Sequence, residues 1–167
     1  MRRLLFIALL AMVLPGSVAM AQSISVYLTD NDDATNVRSA PKGDVAMTLP
    51  DTCSYKIGLT DSKDGWWRVN WIEAAEEGVD IRLVGSSTNE YWIHHSVIGL
   101  DTRNYGGERW CLRATPSKKG KPTFWFKEEI IVHPLKVKGD WLQVTVNGHT
   151  GWIELEKLCD NPLTNCC

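Results

Sequence analysis

The sequence lacks a basic excess. Its 18 lysines and arginines are outnumbered by 20 aspartates and glutamates, for a formal net charge of −2 over 167 residues. A nucleic-acid-binding face needs the opposite balance, so no nucleic-acid partner is expected. No C-x-x-C pair occurs, which disfavours a zinc ribbon or a thioredoxin-type redox centre. Gly-x-Ser-x-Gly, His-Glu-x-x-His and the phosphate loop are also missing, and with them the commonest hydrolase, metallopeptidase and nucleotide signatures. Neither an enzyme nor a cofactor is expected. No stretch of eleven or more residues carries a 3.6-residue apolar period, so amphipathic helices are not expected.

What is present begins with a leader. Arg2 and Arg3 precede the apolar run Leu4–Leu14, Pro15-Gly16 breaks it, and Ala19-Met20-Ala21 has the small-x-small pattern. This reads as a secretory signal peptide over residues 1–21. The run is too short to span a bilayer as a helix, and no later run approaches that length. The mature chain is therefore expected in the periplasm or outside the cell, without membrane insertion. Export puts Cys53, Cys111, Cys159, Cys166 and Cys167 in an oxidising compartment. Five is odd, so at least one is free, capped or paired with another chain.

An internal repeat organises the rest. Asn36-Val37-Arg38-Ser39-Ala40-Pro41 recurs as Cys111-Leu112-Arg113-Ala114-Thr115-Pro116, an offset of 75 positions. Gly65-Trp66-Trp67-Arg68-Val69 meets Asp140-Trp141-Leu142-Gln143-Val144 at the same offset, as Tyr55-Lys56-Ile57 meets Ile130-Ile131-Val132. Trp92-Ile93 matches Trp152-Ile153 at an offset of 60, so the first copy carries an insertion at about 70–89. Within it, Val79, Ile81 and Leu83 alternate with Asp80 and Arg82, the period of a strand with one apolar face. An elongated hairpin with its tip near Glu76–Gly78 is expected. Its counterpart in the second copy is the tight turn Asn147-Gly148. The fold class is all-β, and Gly106-Gly107 marks a linker over 101–107.

These motifs resemble the bacterial SH3-like domain family of small β-barrels. The opening Asn-Val-Arg-Ser-x-Pro stands at 36–41, the Gly-Trp-x-x-Val strand at 65–69 and the Gly-Trp-Ile strand at 151–153. The first copy has Tyr91 where the family has glycine before tryptophan, and the second has Cys111 in place of asparagine. The resemblance covers about residues 24–160. It implies two tandem barrels, at 24–100 and 108–160, followed by a tail at 161–167. It also implies a non-catalytic role in binding a peptidoglycan peptide or an envelope protein. A structural or inhibitory partner of a cell-wall enzyme is the alternative. The opening and closing segments of such barrels run close together, which makes Cys111–Cys159 a disulfide candidate. Closing a loop of that size contributes roughly 4 kcal/mol in the chain-entropy model.

The candidate ligand-binding residues are Trp66, Trp67, Trp71, Tyr91 and Trp125. Alternation along a strand sends one of Trp66 and Trp67 outward. Trp71 on the inserted hairpin and Trp125 on a second-copy strand have no tryptophan counterpart in the other copy. Tyr91, Trp71 and one of Trp66 and Trp67 are expected to form one exposed patch. The adjacent His94 and His95 should face opposite ways and so chelate no ion. Asp30–Asp33 reads as a solvated loop rather than a calcium site, because Thr35 stands where the calcium loop has glycine.

Overall fold

The computed structural model describes residues 23–30, 34–75, 82–84, 90–161 and 163. The leader, the tip of the inserted hairpin and Cys166-Cys167 lie outside these. Among the described residues, fourteen strands run as β1 (Ile24–Leu28), β2 (Thr35–Arg38), β3 (Val45–Leu49), β4 (Tyr55–Lys63), β5 (Trp66–Ala74), β6 (Arg82–Val84), β7 (Tyr91–His94), β8 (Ile98–Thr102), β9 (Trp110–Arg113), β10 (Pro122–Phe126), β11 (Ile131–Lys138), β12 (Trp141–Val146), β13 (His149–Glu154) and β14 (Leu158–Cys159). Single 3₁₀ turns at His95–Val97 and Leu155–Lys157 precede β8 and β14. All strand pairs are antiparallel, and no α-helix occurs among the described residues. The insertion enters the sheet as expected for a hairpin, with Trp71 opposite Val84 and Glu73 opposite Arg82.

Strand pairing reproduces the sequence repeat almost residue for residue. Arg38 sits opposite Trp92, and Arg113 opposite Trp152. Trp66 pairs with His94, and Trp141 with Glu154. The repeated arginine has a visible purpose: Arg38 Nη1 donates to the Gly43 carbonyl at 2.8 Å, and Arg113 Nη1 to the Gly120 carbonyl at 2.9 Å. Each guanidinium thus closes a matching loop, β2–β3 in the first copy and β9–β10 in the second. The 3₁₀ turns are tied down identically, by His95 N–H to the Gly65 carbonyl and Leu155 N–H to the Asp140 carbonyl, both 2.9 Å.

The two halves are not separate beads. β8 pairs with β1 through Ile98 and Gly99, with β11 through Leu100 and Asp101, and with β14 through Asp101 and Thr102. Relative to the first half it is the closing strand. Relative to the second it stands where β1 stands in the first, paired to β11 as β1 is paired to β4. The strands consequently follow one open path, β10-β9-β13-β12-β11-β8-β1-β4-β5-β7-β2-β3, rather than two closed rings. One apolar cluster runs through both halves, from Ile24 and Val26 to Ile153 and Leu158. Trp67 joins them further. It is buried, and its indole Nε1 donates to the Pro134 carbonyl on β11 at 2.8 Å.

The segment expected as a linker is pinned instead. Asp101 and Thr102 belong to β8. Asn104 is 2% exposed and its Nδ2 donates to the Lys127 carbonyl at 2.6 Å and the Glu128 carbonyl at 3.1 Å. Thr102 Oγ1 donates to Asn104 Oδ1 and accepts from the Ile130 N–H. The Cys111–Cys159 bridge is not formed, because Cys111 is a free thiol, as is Cys53. The open path accounts for this. Cys111 lies on β9, paired with β10 and β13, whereas Cys159 lies on β14, paired with β8.

Candidate functional site

The structure separates the five candidate aromatics. Trp66 and Trp67 are both buried, so neither points into solvent as alternation predicts. The outer side of β5 is covered on this stretch. Trp67 is closed over by the second half through Pro134. Trp66 meets the His94 ring edge-on at 5.1 Å, with the Arg38 guanidinium 5.9 Å from its ring centre. Trp71 and Tyr91 do not share a patch either. A register shift puts Val69 opposite Leu59 and Trp71 opposite Gly58, leaving Asn70 unmatched in the β4 ladder. Val69 is core-facing, and Tyr91, directly across from it, packs against the core. Trp71 turns to the other face and lies flat on Gly58. A Cβ on Gly58 would sit 2.1 Å from the Trp71 Nε1, so the glycine is what admits the indole. Trp125 on β10 is the exposed one, at 47%, and the Arg109 guanidinium stacks 4.4 Å from its ring centre.

The histidine pair also departs from expectation. His95 begins a 3₁₀ turn instead of continuing β7, so the two rings come together, with centroids 4.4 Å apart. His94 Nδ1 is 2.8 Å from the Ser96 hydroxyl. His95 Nδ1 is buried without a hydrogen-bond partner. Burial lowers the pKa of both rings below the ordinary histidine value, helped by Lys42 at His94 and by His94 and His133 at His95.

Sequence reasoning missed the equivalent corner of the second half. There Lys118, Asp140, Trp141, Glu154, Leu155 and Glu156 line an open cleft of about 310 Å³. Lys118 comes from the β9–β10 loop, Asp140 from the turn before β12, Trp141 from the start of β12 and Glu154 from the end of β13. The Trp141–Glu154 pair occupies the register of Trp66–His94. Glu154 is 7% exposed. Burial alone would raise its pKa, but Lys157 and Lys118 outweigh that and hold it below the usual glutamate value. Its Oε2 takes the Lys157 ammonium, which also sits 5.3 Å over the Trp110 ring. Its Oε1 faces Lys118 at 3.5 Å. The available signal was the repeat itself, since aligning Trp92-Ile93 with Trp152-Ile153 puts Glu154 at the position of His94.

No known family's sequence profile matches the chain, and no curated protein is similar to it. Several solved structures match in shape, two of them as follows. NlpC1 from Trichomonas vaginalis is 14% identical with a TM-score of 0.31, the match covering 90% of this chain and 50% of that one. NlpC2 from the same organism is 12% identical, also at 0.31, covering 83% and 48%. The chain therefore spans about half the length of each.

Proposed function

We propose that this chain is an exported, non-catalytic binding module made of two fused SH3-like units, and that it recognises an extended cell-wall peptide. The observation that carries this reading is the second-half cleft, where an aromatic wall, Trp141, stands beside a buried carboxylate, Glu154, and an exposed lysine, Lys118. Peptide sites take that form, with apolar lining for contact area and a few placed polar groups for orientation. A carboxylate held ionised by two lysines suits a standing charge contact better than proton transfer, which works best with a pKa near the working pH. The SH3-like assignment is supported by the twice-repeated pairing scheme and by a 3₁₀ turn before each closing strand.

One observation favours a second reading, a docking subunit for an envelope protein. Trp125 and Arg109 form an exposed stack on β10, the strand at the end of the sheet path, and exposed tryptophan and arginine are the residues that anchor protein interfaces. Co-sedimentation with isolated cell wall separates the two. The peptide reading requires that Trp141→Ala reduce sedimentation and that Trp125→Ala leave it intact. The reverse outcome transfers the function to the docking face. Export is checked by sequencing the mature N-terminus, expected at Gln22.

A further inference from the structure

We propose that the second-half cleft is a receptor for a primary ammonium group carried by a peptide, and that Lys118 occupies it as a displaceable stand-in. This rests on the peptide-binding reading and names the chemistry that the site would select.

The two oxygens of Glu154 are held very differently. Oε2 is locked by Lys157, whose side chain is 31% exposed and packs its ammonium over Trp110. Oε1 faces the cleft, and its partner Lys118 is 3.5 Å away on a side chain 80% exposed. An ion pair with so exposed a lysine contributes between nothing and about 1 kcal/mol, because solvent screens it and the long side chain loses freedom to form it. A ligand ammonium held in place by the rest of its peptide can therefore displace Lys118 at little cost. Once it swings out, the wall presents Asp140, Glu154 and Glu156, with Lys157 already committed to Oε2. An ammonium placed there would also lie beside Trp141, an aromatic face that attracts cations.

The first half supplies an internal control. The same scaffold position holds His94, packed edge-on against Trp66, with Lys42 nearby. That corner offers no carboxylate opposite its tryptophan, so it should not take a cation.

The test uses the full chain and two small probes, acetyl-lysine amide and acetyl-norleucine amide, followed by the Trp141 indole N–H resonance. The lysine probe should shift that resonance saturably, and the norleucine probe should bind about tenfold more weakly or worse, the loss of one charge-assisted contact. Glu154→Gln should lose binding to a similar extent. The discriminating variant is Lys118→Ala. It removes an exposed side chain, so folding is not at stake, and it should tighten lysine-probe binding several-fold because the competitor is gone. Unchanged or weaker binding in Lys118→Ala, or equal binding of both probes, overturns the proposal. Cell-wall sedimentation of the wild-type chain is run alongside. If the probe fails while Trp141-dependent sedimentation persists, the ammonium assignment falls and the peptide reading stands. If sedimentation fails while the probe binds, the peptide reading falls instead.

Discussion

Two corners of this molecule share a backbone and differ in chemistry. In the first half, Trp66 faces His94, and the 3₁₀ turn begins with His95, a ring whose Nδ1 is buried and unpaired. In the second, Trp141 faces Glu154, and the turn begins with Leu155. The same arginine-to-loop and turn-to-amide hydrogen bonds hold both. In one corner burial lowers the pKa of both rings, and the other opens as a cleft around a carboxylate whose pKa Lys157 and Lys118 lower against the effect of burial. The two halves share these scaffold interactions, and the side chains mounted on them differ in charge. A repeated fold therefore need not mean a repeated site.

The largest test of this comparison asks whether the halves are really one body. Trp67→Ala removes a buried indole and its bond to Pro134. It should cost about 3–5 kcal/mol and lower the melting temperature of the whole chain in a single transition. Two separated transitions would show that the halves melt independently. Asn104→Ala strips the pinned connection of its bonds to the Lys127 and Glu128 carbonyls and should cost roughly 1–3 kcal/mol, about 0.5–1.5 for each hydrogen bond lost. A loss near zero would return that segment to a free linker.

The acid side separates the two corners by pH. His94 and His95 have folded pKa values below that of the unfolded chain, near ~6.5. The unfolded chain therefore takes up protons first as pH falls, and stability should drop from about pH 7 downward. His95→Gln should flatten that slope measurably in thermal melts. Glu154 has a depressed folded pKa, so its contribution persists to lower pH and fades only below the ordinary glutamate range, near ~4.3. An unchanged slope in His95→Gln would remove His95 as its source. The smallest effect is expected of Trp125→Ala, which should stay within about 0.5 kcal/mol, as surface substitutions do.

Much of the fold was legible in the sequence because it was written twice. The strands follow from period-two patterning and from motifs at constant offset, and the inserted hairpin from Val79, Ile81 and Leu83 alternating with polar neighbours. The double use of β8 was not legible. By composition Asp101 and Thr102 fall in the linker over 101–107, and no local pattern says that residues 98–102 form one strand whose two ends pair with different halves. The fate of Trp66 and Trp67 was hidden as well, since alternation assigns faces but cannot say that His94 and Arg38 cover the outward Trp66 or that Trp67 bonds to Pro134 of the other half. Trp71 was misplaced by the unmatched Asn70, a bulge that swaps which side of β5 faces the core. The cleft escaped because its residues come from the β9–β10 loop, the turn before β12 and the end of β13, and only strand register brings them together.

The shared strand also governs how this chain can be divided. A cut at Gly106-Gly107, the natural place by composition, gives the first fragment all of β8 and deprives the second of the strand that flanks β11 and β14. A cut before Ile98 does the opposite and leaves β1 with an uncovered edge. Neither fragment inherits a finished sheet, so each would carry exposed ladder groups seeking another partner. For engineering, the smallest movable unit is the pair, and a half borrowed for fusion has to bring a copy of residues 98–102 with it.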